Sequence, residues 1–210
     1  MGIKLSNIHI PTRDIKEIID SLQLILSMRN ITSPNLQDLF GLEINPEFEA
    51  ILKESSKSKY IFYLGQMRDD WISILNEGFG WGETEAFGEE ISKHINSPVL
   101  TISYFDDDVL DLNIYMNGEL ITGHLSCTEG TKEGYGLEDK FGDISTLSQL
   151  VGHQYINDLL NFLEIKNSRE ALNEFERIIN FPLWIKADWI STDFIDKDLQ
   201  NKYVKYDFNK

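Results

Sequence analysis

The chain has 210 residues, 41% of them hydrophobic and 26% charged, which is enough for one sizeable core of an ordinary globular protein. Its net charge of −16 repels nucleic-acid phosphates and anionic lipids, so we expect neither a nucleic-acid nor a membrane partner and favour a basic protein. The single cysteine, Cys127, excludes an internal disulfide, and the first residues lack the apolar core of a secretory signal. We therefore expect a cytoplasmic protein.

Residues 1–55 predict a strand followed by helices. Alternating apolar residues over 3–10 indicate a short strand that Pro11 ends. Isoleucines and leucines at helical spacing over 15–26 then predict a helix of about four turns. A loop and a second helix that begins at Pro46 complete this part.

Residues 59–125 predict the sheet core. The stretches 59–66 and 71–76 are rich in β-branched and aromatic residues, which favours two strands. A helix over about 84–95 follows, and its strand–helix–strand setting suggests that 71–76 runs parallel to 99–105.

Three more strands form a predicted antiparallel meander over 98–125. Asn117-Gly118 indicates a two-residue turn, because both central positions of a type I′ turn need positive φ. Asp106 to Asp108 form a three-residue loop. The apolar side chains then share one face. The predicted partners are Tyr104 and Leu110, Ile102 and Leu112, Leu100 and Ile114, Ile114 and Ile121, Leu112 and Gly123, and Leu110 and Leu125.

The opposite face of this meander is polar, and we expect water on that side. It carries Thr101, Ser103, Asp111, Asn113, Tyr115, Thr122 and His124. In the predicted register Asp111 lies opposite His124, and such a carboxylate and imidazole can orient a general base. No nucleophile-elbow sequence accompanies them, so an exposed cross-strand pair is the simpler interpretation and catalysis the alternative.

The stretch 126–142 contains four glycines and four acids between the sheet and the next helix. Connections of this length without regular structure are usually either functional or disordered. We expect it to form an interaction surface or, in the catalytic alternative, a lid. The candidate binding residues here and on the polar face are Tyr115, Glu129, Glu133, Tyr135, Glu138 and Asp139.

Residues 143–181 show helical periodicity, which Pro182 ends. The aromatic end of the chain predicts a last strand or a docked tail.

Metal and cofactor patterns are weak throughout the sequence. Asp106 to Asp108 and Asp111 are closely spaced, but calcium loops place their ligands at alternate positions around a glycine. The histidines have no metal-ligand spacing, and the glycines at 78, 80 and 82 do not match a phosphate-binding loop. We therefore expect neither a metal nor a cofactor.

The sequence contains the segments Trp71-Ile72-Ser73-Ile74-Leu75, Ile91-Ser92, VLTISYFDDDVLDLNIYMNGEL and Gly142-Asp143-Ile144, and a predicted helix around 170–175. These segments resemble a widespread family of uncharacterised bacterial proteins. The likeness covers about residues 70 to 180. It supports the predicted sheet and implies no established activity and no catalytic residues.

Together these patterns predict one α+β domain: an antiparallel sheet of five or six strands, with helices from both ends of the chain on its apolar face. The expected parts are the helical 1–55, the sheet core 59–125 and the helical 143–181. The leading functional hypothesis is a non-enzymatic acidic interaction module, such as an immunity or inhibitor protein for a basic partner. The alternative is a small-ligand-binding protein or hydrolase-like enzyme that uses Asp111 and His124.

Overall fold

The computed structural model describes residues 2–32 and 60–209, and the predicted helix at Pro46 lies outside them. Within the described ranges seven strands form a single antiparallel sheet. The strands are β1 (Leu5–Ile10), β2 (Ile61–Arg68), β3 (Trp71–Asn76), β4 (Val99–Phe105), β5 (Val109–Met116), β6 (Glu119–Ser126) and β7 (Tyr203–Asp207). The α-helices are α1 (Ile15–Thr32), α2 (Glu83–Ser92), α3 (Glu129–Tyr135), α4 (Ile144–Val151), α5 (Ile156–Glu164), α6 (Ser168–Ile179) and α7 (Lys197–Gln200). An α+β fold is thereby confirmed.

The strand order is β6-β5-β4-β1-β3-β2-β7, with β1 inserted between β3 and β4. Because β1 is antiparallel to both neighbours, β3 and β4 run in the same direction, as the strand–helix–strand pattern predicted. They are separated by β1 rather than adjacent. The sheet exceeds the predicted five or six strands because the aromatic tail adds β7 beside β2.

The β4–β5 register is confirmed. Tyr104 pairs with Leu110 and Ile102 with Leu112, across the three-residue loop 106–108. The turn between β5 and β6 is also confirmed, with positive φ at both Asn117 (53°) and Gly118 (81°).

The predicted β5–β6 register is wrong beyond the first two pairs. Tyr115 pairs with Leu120, but Ile114 pairs with Thr122, so Ile121 is an extra residue in β6. This β-bulge shifts every later partner by one position. Leu112 therefore faces His124 instead of Gly123.

Helices cover both faces of the sheet. On the first face, α4, α5 and α6 pack on a cluster that includes Leu100, Ile102 and Leu112. On the second face, α1 and α2 pack on isoleucines of β1 and β3 and on Phe62 of β2.

The predicted polar face is the second face, and the expectation that it is wet is wrong. Thr101, Ser103, Asp111 and Asn113 are at most 3% exposed. The alternation of apolar and polar residues correctly predicted the face of the sheet on which these side chains lie, but helix α2 covers that face. None of the described helices combines the length and apolarity that crossing a bilayer requires.

Candidate functional site

Asp111, on the second face of β5, is the centre of a buried polar network. Its carboxylate oxygens lie 2.7 and 2.8 Å from the ammonium of Lys140. The indole N–H of Trp81 donates to Oδ2 at 3.0 Å, and the amide of Asn113 donates to Oδ1 at 3.1 Å. The carboxylate therefore has partners on both oxygens, and it fastens the end of the 126–142 stretch to the sheet.

Glu85 of α2 lies above the same face. Burial raises the pKa of its carboxyl group, and the negative charge of Asp111 raises it further, while the hydroxyl of Ser103 lowers it. One of its oxygens, Oε1, is buried without a hydrogen-bond partner in the described part of the chain. Glu85, a buried acid next to a second carboxylate, therefore tends to remain protonated.

Tyr115, a predicted binding residue, is only 7% exposed. A Cβ added at Gly88 of α2 would lie 3.6 Å from its ring, so the helix covers the tyrosine directly. Burial is the main reason that the pKa of its phenol is raised. As predicted, Tyr115 shares the face of Asp111, but it cannot contact a partner unless α2 moves.

His124 and Asp111 lie on opposite faces of the sheet, so their predicted pairing is wrong. The extra residue Ile121 turns His124 to the first face, where its ring lies 5.0 Å from that of Phe162. Asp111 pairs with Leu125 instead. The two groups of the catalytic alternative are therefore not brought together.

His124 has a different partner, Ser126. Its Nε2 lies 3.0 Å from the hydroxyl oxygen of Ser126, which is completely buried. Burial lowers the pKa of His124 to about 4, so the imidazole is neutral at pH 7. Its Nδ1 has no partner among the described residues, so no carboxylate orients the ring as a catalytic triad requires. The pair acts as a buried hydrogen bond.

The other five predicted binding residues are exposed. We call residues 129–139 the acidic segment; it consists of α3, which was not predicted, and the residues without regular structure that follow it. Its exposed side chains are those of Glu129, Glu133, Tyr135, Glu138 and Asp139. Thr128 caps α3 by accepting the N–H of Thr131, and Gly136 ends it with a φ of 65°.

Lys132 lies inside the acidic segment and neutralises part of it. Its ammonium is 2.7 Å from Glu129 and 2.8 Å from Asp139. Glu133 and Glu138 form no ion pair within the described residues. These two carboxylates add to the one negative charge that Lys132 leaves on Glu129 and Asp139.

Aromatic rings attach the acidic segment to the body of the protein. Tyr135 packs edge-on against Trp81 at 6.3 Å and against Phe105 at 5.9 Å, and these two rings are 5.2 Å apart. Tyr135 is still 44% exposed. It therefore anchors the segment and also presents an aromatic surface.

Phe141 is an exposed residue that the sequence reasoning missed. It directly follows Lys140 and is 80% exposed, and Leu160 and Ile156 of α5 are 48% and 38% exposed. A single phenylalanine in a glycine-rich stretch belongs to no periodic pattern of apolar residues. The only sequence signal for Phe141 was a large apolar residue close to acidic ones.

A cleft of about 410 Å³ opens where β1 begins and β3 and β4 end. We call it the end cleft. Its lining includes Lys4, Ser6, Glu77, Trp81, Phe105 and Lys186. Trp81 therefore belongs both to the cleft and to the ring cluster beneath the acidic segment.

Two of the three hairpin aspartates, Asp106 and Asp107, have structural partners for their side chains. Asp106 and Asp107 accept the N–H groups of Gly2 and Ile3, and Asp107 also binds Arg169 at 2.9 Å. Over residues 2–32 and 60–209, no three histidine, cysteine or acidic side chains are grouped so that they could hold a metal ion.

Comparison with known proteins adds no relative. No protein-family model, curated protein or solved structure matches the chain.

Proposed function

We propose that the chain is a non-enzymatic interaction module that binds a basic protein through the acidic segment and Phe141. The observation that carries the proposal is Phe141, a phenylalanine 80% exposed two residues after Asp139. Exposing a large apolar side chain to water is unfavourable, and protein interfaces use aromatic anchors surrounded by charge.

The negative charge of the protein also supports a basic protein as the partner. The net charge is −16, and Glu133 and Glu138 add carboxylates without an internal partner in the described structure. A surface of this kind attracts a basic protein over a distance and raises its association rate. The same field opposes binding to nucleic acid, and we place the module in the cytoplasm, as an immunity or inhibitor protein.

The alternative function was based on Asp111 and His124 acting together, and it has less support than the exposed surface. Asp111 is engaged by Lys140, and His124 lies on the other face of the sheet. Both side chains are buried.

The test begins with affinity purification of the tagged chain from its host. A captured basic protein is then produced separately, and its dissociation constant is measured by calorimetry. Charge reversal at Glu133→Lys/Glu138→Lys, and separately Phe141→Ser, should each weaken binding about tenfold or more. The matched control Asp69→Lys/Glu170→Lys makes the same charge change at exposed positions elsewhere and should change affinity about twofold at most, since its effect is only long-range.

The proposal fails if no basic protein is captured. It also fails if a captured protein binds the wild type, the acidic-segment variant and the control variant equally well.

A further inference from the structure

The end cleft has aromatic walls and mixed charge. Trp81 and Phe105 lie on one side, and the rings are 5.2 Å apart. The faces of such rings carry partial negative charge and attract cations. The volume of about 410 Å³ is sufficient for a single long side chain or a small ligand.

Both lysines of the cleft already have acidic partners. Lys186 lies 2.8 Å from Asp188, which also lines the cleft. Lys4 lies 3.7 Å from Asp106, and its ammonium is 4.1 Å from the centre of the Phe105 ring. The protein therefore already holds one cation of its own against this aromatic wall.

Glu77 is the charged group of the cleft that remains uncompensated. It is exposed, directly after β3, and forms no ion pair within the described residues. With two lysines balanced by Asp106 and Asp188, the carboxylate of Glu77 leaves one excess negative charge at the cleft.

From this geometry we infer that the end cleft receives an arginine side chain of the basic partner, with Glu77 as its counter-ion and the Trp81 and Phe105 rings as its wall. The inference rests on the proposed function. A guanidinium group is planar, bonds a carboxylate through two N–H groups and stacks on aromatic rings, which makes arginine a better fit than lysine.

The cleft and the acidic segment form one continuous surface. Trp81 and Phe105 line the cleft, and both rings also contact Tyr135 of the acidic segment. A partner that covers the acidic segment would thus bring a neighbouring arginine to the cleft. The acidic segment attracts the basic partner over a distance, and the cleft selects an arginine among the partner's side chains.

The experiment titrates the ¹⁵N-labelled full chain with N-acetyl-arginine methylamide and follows amide and indole signals by NMR. Saturable shifts should appear at Gly80, Trp81 and Glu77. N-acetyl-citrulline methylamide, which has the same shape without the charge, should bind at least about threefold more weakly, and added salt should weaken arginine binding.

Glu77→Gln should weaken binding of the arginine probe by about threefold to fivefold, because it removes the counter-ion but keeps the side-chain volume. The matched control Glu164→Gln, at an exposed position on α5, should leave binding unchanged. Equal binding of the arginine and citrulline probes, no effect of Glu77→Gln, or shifts only outside the cleft would each overturn the inference.

Two further arms separate the possible failures. If acetate or inorganic phosphate binds the cleft more tightly than the arginine probe and Lys4→Ala abolishes that binding, the cleft is an anion site and the inference is wrong. Charge reversal at Glu133 and Glu138 tests the proposed function alone. A failed arginine titration with intact binding of a basic partner would therefore reject the cleft and keep the interaction module.

Discussion

Lys140 places its ammonium 2.7 Å from Oδ1 and 2.8 Å from Oδ2 of Asp111, so an exposed stretch after α3 neutralises a carboxylate inside the sheet. The Asp111 side chain is 4% exposed and that of Lys140 33%. The ion pair thus joins the surface of the protein to its interior.

Lys140→Met should destabilise the fold by about 3 kcal/mol, because it leaves a buried carboxylate without its cation. The value lies at the low end for buried pairs, since Trp81 and Asn113 still donate to Asp111. Urea unfolding measures the loss. The double variant Lys140→Met/Asp111→Asn should regain much of it, and a double variant as unstable as the sum of both single ones would contradict the ion-pair explanation.

Stability should fall as the pH drops below about 6.5. Burial lowers the pKa of His9 to about 3 and that of His124 to about 4, from an ordinary value of 6.5. Between pH 6.5 and 4 the unfolded chain binds protons at these histidines and the folded chain does not. The free energy of unfolding is therefore highest above pH 6.5 and decreases by about 1.4 kcal/mol per pH unit for each histidine.

The variant His124→Gln isolates one of these contributions. Between pH 6.5 and pH 5 it should lose about 2 kcal/mol less stability than the wild type. Phe162→Leu alters the neighbouring ring without changing a titratable group, so its stability should run parallel to that of the wild type over the same range. An unchanged pH slope in His124→Gln would contradict the burial of a neutral imidazole.

Gly88→Ala should destabilise the protein by about 1 to 3 kcal/mol. A Cβ at this position of α2 would lie 2.2 Å from Cγ2 of Thr101, which forces the helix away from the sheet. The matched change Gly134→Ala in α3 meets no atom within 4 Å and should stabilise by up to about 1 kcal/mol through helix propensity. Thermal unfolding compares them, and equal effects would refute close packing of α2.

Phe141→Ser should change stability by less than about 0.5 kcal/mol, because 80% of the side chain is already in water. Phe162→Ala, in the core of the first face, should cost about 3 to 5 kcal/mol. Chemical unfolding of both variants measures the contrast. A large loss for Phe141→Ser would show that the ring has a structural role and would remove it from the proposed interface.

Local patterns were sufficient to predict most of the sheet. The loop 106–108 and the turn at Asn117-Gly118 fix the ends of β4, β5 and β6, because each turn type needs particular residues at particular positions. The one error of register, at Ile121, has no sequence signal. A bulge needs only one additional residue, and Ile121 fits the predicted alternation as well as its neighbours do.

The candidate site was harder to predict because its contacts are distant in sequence. In the sequence Asp111 has the pattern of a solvent-facing residue, because its partner Lys140 lies 29 positions later. The cleft lysines likewise come from opposite ends of the chain, at Lys4 and Lys186. Exposure of the acidic segment was predictable, since carboxylates are almost never fully buried unless they are paired.

The run 140–143 along the outside of β6 also affects aggregation. The N–H of Leu125 donates to the carbonyl of Lys140 at 3.4 Å, and the N–H of Asp143 donates to the hydroxyl of Thr122 at 2.8 Å. This run lies along the outer edge of β6, where a strand of another chain could pair. At the opposite edge of the sheet, the short β7 carries the exposed Lys205. The run 140–143 at one edge and Lys205 at the other are features that hinder the addition of a foreign strand.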